Sequence, residues 1–127
     1  MRKHRPAEEK PLHWVGSSKN DLLVFPDQVV DDIGYALGAV QYGGHPPSAK
    51  PWKGLGPGVH EIVESDEAGT FRAVYTVRFR KAVYVLHAFQ KKSPSGVRTA
   101  RTDIKLIEER LGAAKVDYEA RYGEKTD

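Results

Sequence analysis

The chain has 127 residues, enough for one hydrophobic core and too few for two. It contains no cysteine, which excludes disulfides and thiolate metal sites, and no apolar run approaches the ~20 residues that span a bilayer. The formal net charge of +3 is unevenly spread: Arg78 to Lys105 holds eight basic residues against Asp103 alone, a local +7, so the remainder sums to −4. Segregation of this kind points to a side that faces a polyanion, unless the cations only solvate a sheet edge. The basic leader is followed by no apolar stretch of the kind a signal peptide needs, so the expected location is the cytoplasm, with no membrane partner.

Residues 1–11 carry charge and proline and almost no apolar side chain, which predicts a flexible arm. The domain is expected over 12–120, with a short tail at 121–127. "LHWV" (Leu12–Val15) reads as a first strand, and "GSSKND" supplies turn and helix-start residues. From Asn20 to Tyr42, Leu22, Val29, Ile33, Leu37 and Val40 recur at three, four or seven residues, the stripe of an amphipathic helix. Pro26 suits a first helical turn, which sets Asn20–Phe25 apart as a separate short turn, and Gly43 with Gly44 ends the helix.

In the next segment, Gly43 to Gly58, nine of sixteen residues are Gly or Pro, and no regular element is expected there. Three strands follow, "VHEIVES" (Val59–Ser65), "TFRAVYTVRF" (Thr70–Phe79) and "AVYVLHAF" (Ala82–Phe89), joined by links short enough for an antiparallel meander. A last amphipathic helix begins at Thr99 or Thr102 and runs to Tyr118, with Ala100, Ile104, Ile107, Leu111, Ala114 and Tyr118 as its apolar stripe. The expected fold is a small single α+β domain: an antiparallel sheet of about four strands packed against helices, in the order β-α-β-β-β-α.

The chemistry-bearing residues gather on that sheet. With plain register across Arg80 and Lys81, Arg72 lies opposite Phe89 and Val74 opposite His87, so Arg72, His87, Phe89 and Lys91 share one face and Lys92 sits just past the strand. Arg80 and Lys81 are poor residues for a two-residue turn that needs positive φ, so a bulge or a slightly longer loop is expected there, and a bulge at the turn would send part of this cluster to the other face. Arginine grips two phosphate oxygens through its planar fork and lysine adds a movable charge, so the cluster suits phosphate chemistry. Arg72 and Lys91 are expected at a solvent-facing rim. His87 is either a hydrogen-bonded packing residue or a proton carrier; Glu61 is either a base or the carboxylate that orients Arg72. Lys50, Trp52 and Lys53 form either a solvated loop with one anchoring tryptophan or a flap that stacks on a base. Asp31 and Asp32 are read as a solvated helix face. The five histidines show no metal-ligand spacing, "GLGPG" lacks the Lys-Ser/Thr ending of a P-loop, and no serine or cysteine nucleophile arrangement is present.

The run "KPWKGLGPGVHEIVES", then "FRAVYTVRF", then "AVYVLHAFQKKSPSG" and a terminal amphipathic helix resembles the HigB-like, phage-derived branch of the RelE/ParE toxin superfamily, over about residues 12–118. The resemblance implies a toxin of a type II toxin–antitoxin system. It implies a messenger RNA endoribonuclease (mRNA interferase) that works on the ribosome, inhibits translation and growth, and needs neither metal nor cofactor. The implied partners are messenger RNA, the ribosome and a cognate antitoxin, a HigA-like helix-turn-helix protein. Carried over by position, the catalytic candidates are Arg72, Lys91, Lys92 and His87, with Glu61 in support; Lys50, Trp52, Lys53, Arg78, Arg98 and Arg101 are the RNA-binding candidates. The paired lysines of the RelE strand fall here near Glu61 and Val63, neither of them basic, so the resemblance leaves the proton acceptor open among His87, His60 and a lysine. Two other readings share the scaffold: a ParE-like inhibitor of DNA gyrase without nuclease activity, and a non-enzymatic RNA-binding module.

Overall fold

The computed structural model describes residues 8–91 and 100–126. In chain order its elements are β1 (Leu12–Trp14), α1 (Ser18–Leu23), α2 (Asp27–Gln41), β2 (Ala49–Pro51), β3 (Val59–Asp66), β4 (Gly69–Thr76), β5 (Val83–Lys91) and α3 (Arg101–Tyr122). The sheet has five strands in the order β1-β5-β4-β3-β2. It is mixed, because β1 runs parallel to β5 while the other pairs are antiparallel. The α+β class and the β3-β4-β5 meander stand as expected, and the four-stranded antiparallel sheet is corrected in two places. β1 joins the far edge beside β5 through Leu12↔Val83 and Trp14↔Val85, a pairing between distant segments that no local pattern announces. β2 forms inside the Gly/Pro-rich segment because Ala49, Lys50 and Pro51 lie along β3, with Pro51 tolerated on an edge strand.

Pro26 caps α2: its own φ of −54° and ψ of 145° lie outside the helix, and Val30 N–H donates to its carbonyl. That break divides α1 from α2, as the proline predicts. The α2 stripe, Val29, Ile33, Leu37 and Val40, is buried against Ile62, Phe71, Ala73, Val83 and Val85 on one face of the sheet. Each fully buried Leu or Ile there is worth about 1.5–3 kcal/mol of transfer free energy. The second core lies on the opposite face, where Ile107, Ala114 and Tyr118 of α3 pack with Val74, Tyr84, Leu86 and Phe89. Ala100 and Ile104 are exposed, so the apolar stripe of α3 starts one turn later than its spacing suggests.

The hairpin between β4 and β5 turns through Val77–Ala82, a longer link than Arg80-Lys81 alone. Near that turn Thr76 pairs with Tyr84 and Tyr75 with Val85, but beyond it Val74 pairs with His87 and Arg72 with Phe89. One extra residue of β5, Leu86, makes up the difference as a bulge. The offset of the turn and the bulge cancel, and the far half of the hairpin has the register that plain pairing gives.

Candidate functional site

Cross-strand neighbours share a face, so the register places side chains in rows on the α3 side of the sheet. The first row runs Lys50, Glu61, Val74, His87; the second Val63, Arg72, Phe89; the third Ser65, Thr70, Lys91. Val74 and Phe89 belong to the α3-side core, which fixes which face this is. Asp103, in the first turn of α3, bonds His87. The described helix therefore starts at the first row, and the rows of Arg72 and Lys91 lie past its N-terminus. Arg72, His87, Phe89 and Lys91 share a face as the sequence predicts, and Lys50 and Glu61 join them. Lys92 and Arg98 lie outside the described residues.

Arg72 and Glu61 form an ion pair at 2.7 Å between Nη1 and Oε1, and their side chains are only 14% and 8% exposed. The expectation of a rim arginine is thus corrected: the meander folds Arg72 inward onto the carboxylate of the neighbouring strand. The pair is single-pronged. Arg72 Nε is the one buried side-chain nitrogen or oxygen without a hydrogen-bond partner among the described residues. Leaving a buried donor unpaired costs about 1–3 kcal/mol, which the fold bears at this position.

His87 is 5% exposed and stacks on Phe89 at 5.0 Å. Its Nε2 lies 2.7 Å from Asp103 Oδ1 and its Nδ1 3.4 Å from Arg110 Nη1. Guanidinium only donates, so Nδ1 accepts, which assigns the ring proton to Nε2 and lets it donate to Asp103. Arg110 also donates to Leu86 O at 3.0 Å, satisfying a carbonyl of the bulge, and to Ser17 Oγ at 3.0 Å. Gly16 makes room for it: at φ +57° it has no Cβ, and an added one would stand 2.9 Å from Arg110 Nη2. His87 therefore pins α3 to β5, with both ring nitrogens engaged. Asp103 and Arg110 escaped the sequence reading because the stripe was traced through apolar residues; both fall in phase with Ile107, Ala114 and Tyr118, and that phase was the available signal.

The remaining candidates separate. Lys50 and Lys53 are exposed, but Trp52 is 9% exposed and packed in the α3-side core, an anchor and not a flap. Arg78 spends its guanidinium on the loop it faces, donating to Leu55 O and, at 3.0 Å from Nη2, to Pro57 O. Gly58 permits that approach, since an added Cβ would lie 3.2 Å from Arg78 Cα. Arg80 and Lys81 pair with Glu124. The Tyr118 hydroxyl, with Lys81 and Arg80, lowers the Glu124 pKa to about 2. The positive stretch is thus divided: Arg78, Arg80 and Lys81 are engaged near the β4–β5 turn, whereas Lys91 and the exposed Arg101 lie toward the other end of β5. On α2, Asp31 is exposed and Asp32 accepts from Gln28, a solvated face as expected. Among the described residues no three His, Asp or Glu side chains are grouped to hold a metal ion, and no helix is long and apolar enough to cross a membrane.

Fold and site together define a small α+β domain with a single-pronged arginine–carboxylate pair on one face of a mixed sheet. The family model described as "Phage derived protein Gp49-like (DUF891)" matches residues 20–112, and the chain belongs to that family. No curated protein matches the sequence. Among solved structures, the chain is similar to one in the toxin–antitoxin complex RelBE2 from Mycobacterium tuberculosis. The identity is 16% and the TM-score 0.47, over 66% of this chain and 100% of that one.

Proposed function

We propose that this chain is the HigB-like toxin of a type II toxin–antitoxin pair, a metal-independent endoribonuclease that cuts messenger RNA in the ribosomal decoding site. The observation that carries the reading is the placing of Lys50, the Arg72–Glu61 ion pair and Lys91 on one face of the sheet. Membership of the Gp49-like family and the sequence resemblance to HigB-like toxins support it. In the reaction, the ribose 2′-oxygen attacks the adjacent phosphorus and the bond to the 5′-oxygen breaks, leaving a 2′,3′-cyclic phosphate and a 5′-hydroxyl. The Arg72 guanidinium, held in place by Glu61, donates to a non-bridging oxygen as charge builds there, a stabilisation that depends on the donor being fixed in advance. Lys91 gives the 5′-oxygen its proton, and Lys92 holds the neighbouring phosphate. Lys50, Lys53 and Arg101 contact RNA, and the antitoxin, a helix-turn-helix protein acting in the same cytoplasm, covers this face.

Primer extension on a transcript in a translation extract tests the reading, with Arg72→Lys as the variant. Lysine keeps the charge beside Glu61 and loses the fork. Ribosome-dependent cuts by the wild type are expected, reduced about 100-fold or more in Arg72→Lys. Intact RNA together with lost supercoiling activity would instead support the gyrase-directed reading.

A further inference from the structure

We propose that the hollow between α2 and the start of β2 binds an arginine side chain of another protein, on the opposite side of the sheet from Arg72 and Lys91. Glu64 helps to line it; this residue pairs with Phe71 across β3 and β4, and Phe71 belongs to the α2-side core. A segment seated there leaves the face of the Arg72–Glu61 pair open, so the site does not depend on the nuclease reading. The hollow has a volume of about 220 Å³. Pockets for small-molecule ligands hold about 300–1,000 Å³, so this one suits a single side chain that anchors a longer segment. Ala36 and Ala39 of α2, with Pro46 and Pro47 of the loop that follows, form its apolar part and receive a methylene stem.

Around that apolar part the lining is acidic and aromatic. Asp32 brings a carboxylate from α2 and Glu64 another from β3. The ion pairs among the described residues all lie elsewhere, and the Asp32 carboxylate accepts from Gln28 Nε2 through Oδ1. No cation of α2 balances them, because the helix carries Asp27, Asp31 and Asp32 and neither lysine nor arginine. Tyr35 lines the same hollow and is 85% exposed. An arginine meets all of these groups together: its planar fork bonds carboxylates on two different elements while its plane stacks on a tyrosine ring, whereas lysine offers a point charge. The neighbouring surface is shaped for a polypeptide. Tyr42 lies two helical turns beyond Tyr35 and is also exposed, with Gly38 between them. An added Cβ at Gly34 or Gly38 would meet nothing within 4 Å, so packing within the chain does not call for glycine there, although glycine weakens a helix relative to alanine. Two bare positions beside two exposed rings let a partner backbone lie close to α2. Tyrosine and arginine are also the side chains that anchor protein interfaces. A second copy docked through the same face is disfavoured, because it would set the aspartates of two α2 helices against each other.

Titration of the isotope-labelled chain with a short blocked alanine peptide bearing one central arginine, followed through backbone amide shifts, tests the site. Saturable shifts are expected at Tyr35, Ala36, Ala39 and Glu64. The same peptide with citrulline, the neutral isostere of arginine, should bind about tenfold more weakly, and so should the arginine peptide to Glu64→Gln, since each change removes a charge-assisted hydrogen bond. Tyr35→Ala takes the ring from an exposed position without touching the core and should weaken binding by a smaller factor. Shifts spread evenly over the acidic surface, with the exposed Glu108 and Glu109 of α3 included, would reduce the effect to general charge attraction and overturn the proposal. Equal binding of the arginine and citrulline peptides, or no saturable shift at all, would overturn it too. Shifts at the same residues on concentrating the chain alone would make a second copy the occupant and overturn it likewise. Transcript cleavage plays no part in this readout, so the site and the nuclease reading stand or fall separately.

Discussion

The two faces of the sheet are made of different material. Toward α2 the contacts are hydrocarbon on hydrocarbon, with Ile33, Leu37, Ile62, Phe71 and Val85 all buried. Toward α3 lie Glu61, Thr76 and His87, three of the four buried polar residues. The difference shows how a small domain supports a buried ion pair: both faces supply free energy of burial, and the α3 face spends part of it on polar groups that are bonded to one another and to the backbone. Substitutions on the two faces should accordingly break different things.

The largest effect on stability belongs to the α2 side. Leu37→Ala should lower the unfolding free energy by about 2–5 kcal/mol in a urea titration, and any loss of activity should track the unfolded fraction. An intact midpoint would mean that the α2 core does not carry the fold.

A smaller effect is expected where the polar face meets α3. His87→Phe keeps the stack on Phe89 but leaves Asp103 and Arg110 without the ring, and should cost about 1–3 kcal/mol, with faster amide exchange in the first turns of α3. Unchanged exchange combined with lost cleavage would return His87 to the role of proton carrier.

The smallest effect lies at the other end of that face. The folded pKa of Glu124, about 2, is depressed from the ordinary 4.5. Its contribution is therefore complete above pH 4.5 and fades as the pH falls toward 2. Amide exchange at Lys81 and along the end of α3 should quicken over that window, and Glu124→Gln should remove the dependence.

Much of this plan is legible in the residues themselves. The 3–4 spacing of Val29, Ile33, Leu37 and Val40, the break at Pro26 and the three β-rich runs after Gly58 report local periodicity, which is the part of folding that a sequence displays directly. The parallel β1–β5 pair and β2 depend on partners far along the chain. The poor fit of Arg80 and Lys81 to a two-residue turn announces a longer link or a bulge, and the hairpin has both; only the place of the bulge, at Leu86, is not legible, and because the longer turn at Val77–Ala82 compensates it the pairing of Arg72 with Phe89 survives. The site was legible to the extent that it follows from alternation along β4 and β5. The burial of Arg72 on Glu61 and the engagement of both nitrogens of His87 were not, because they are set by distances between strands and helix. Trp52 shows the same limit: a tryptophan among glycines and prolines reads equally as a flap or as an anchor until its neighbours are known.

The parallel edge has a consequence for how the molecule comes into being. Leu12 and Trp14 leave the ribosome early in synthesis, yet they must wait for Val83 and Val85 before they can pair. A half-made chain can build α2 and the β3–β4 hairpin but cannot close the strand that bears His87 and Lys91. The face on which Arg72, His87 and Lys91 meet is thus completed only after most of the chain has been made.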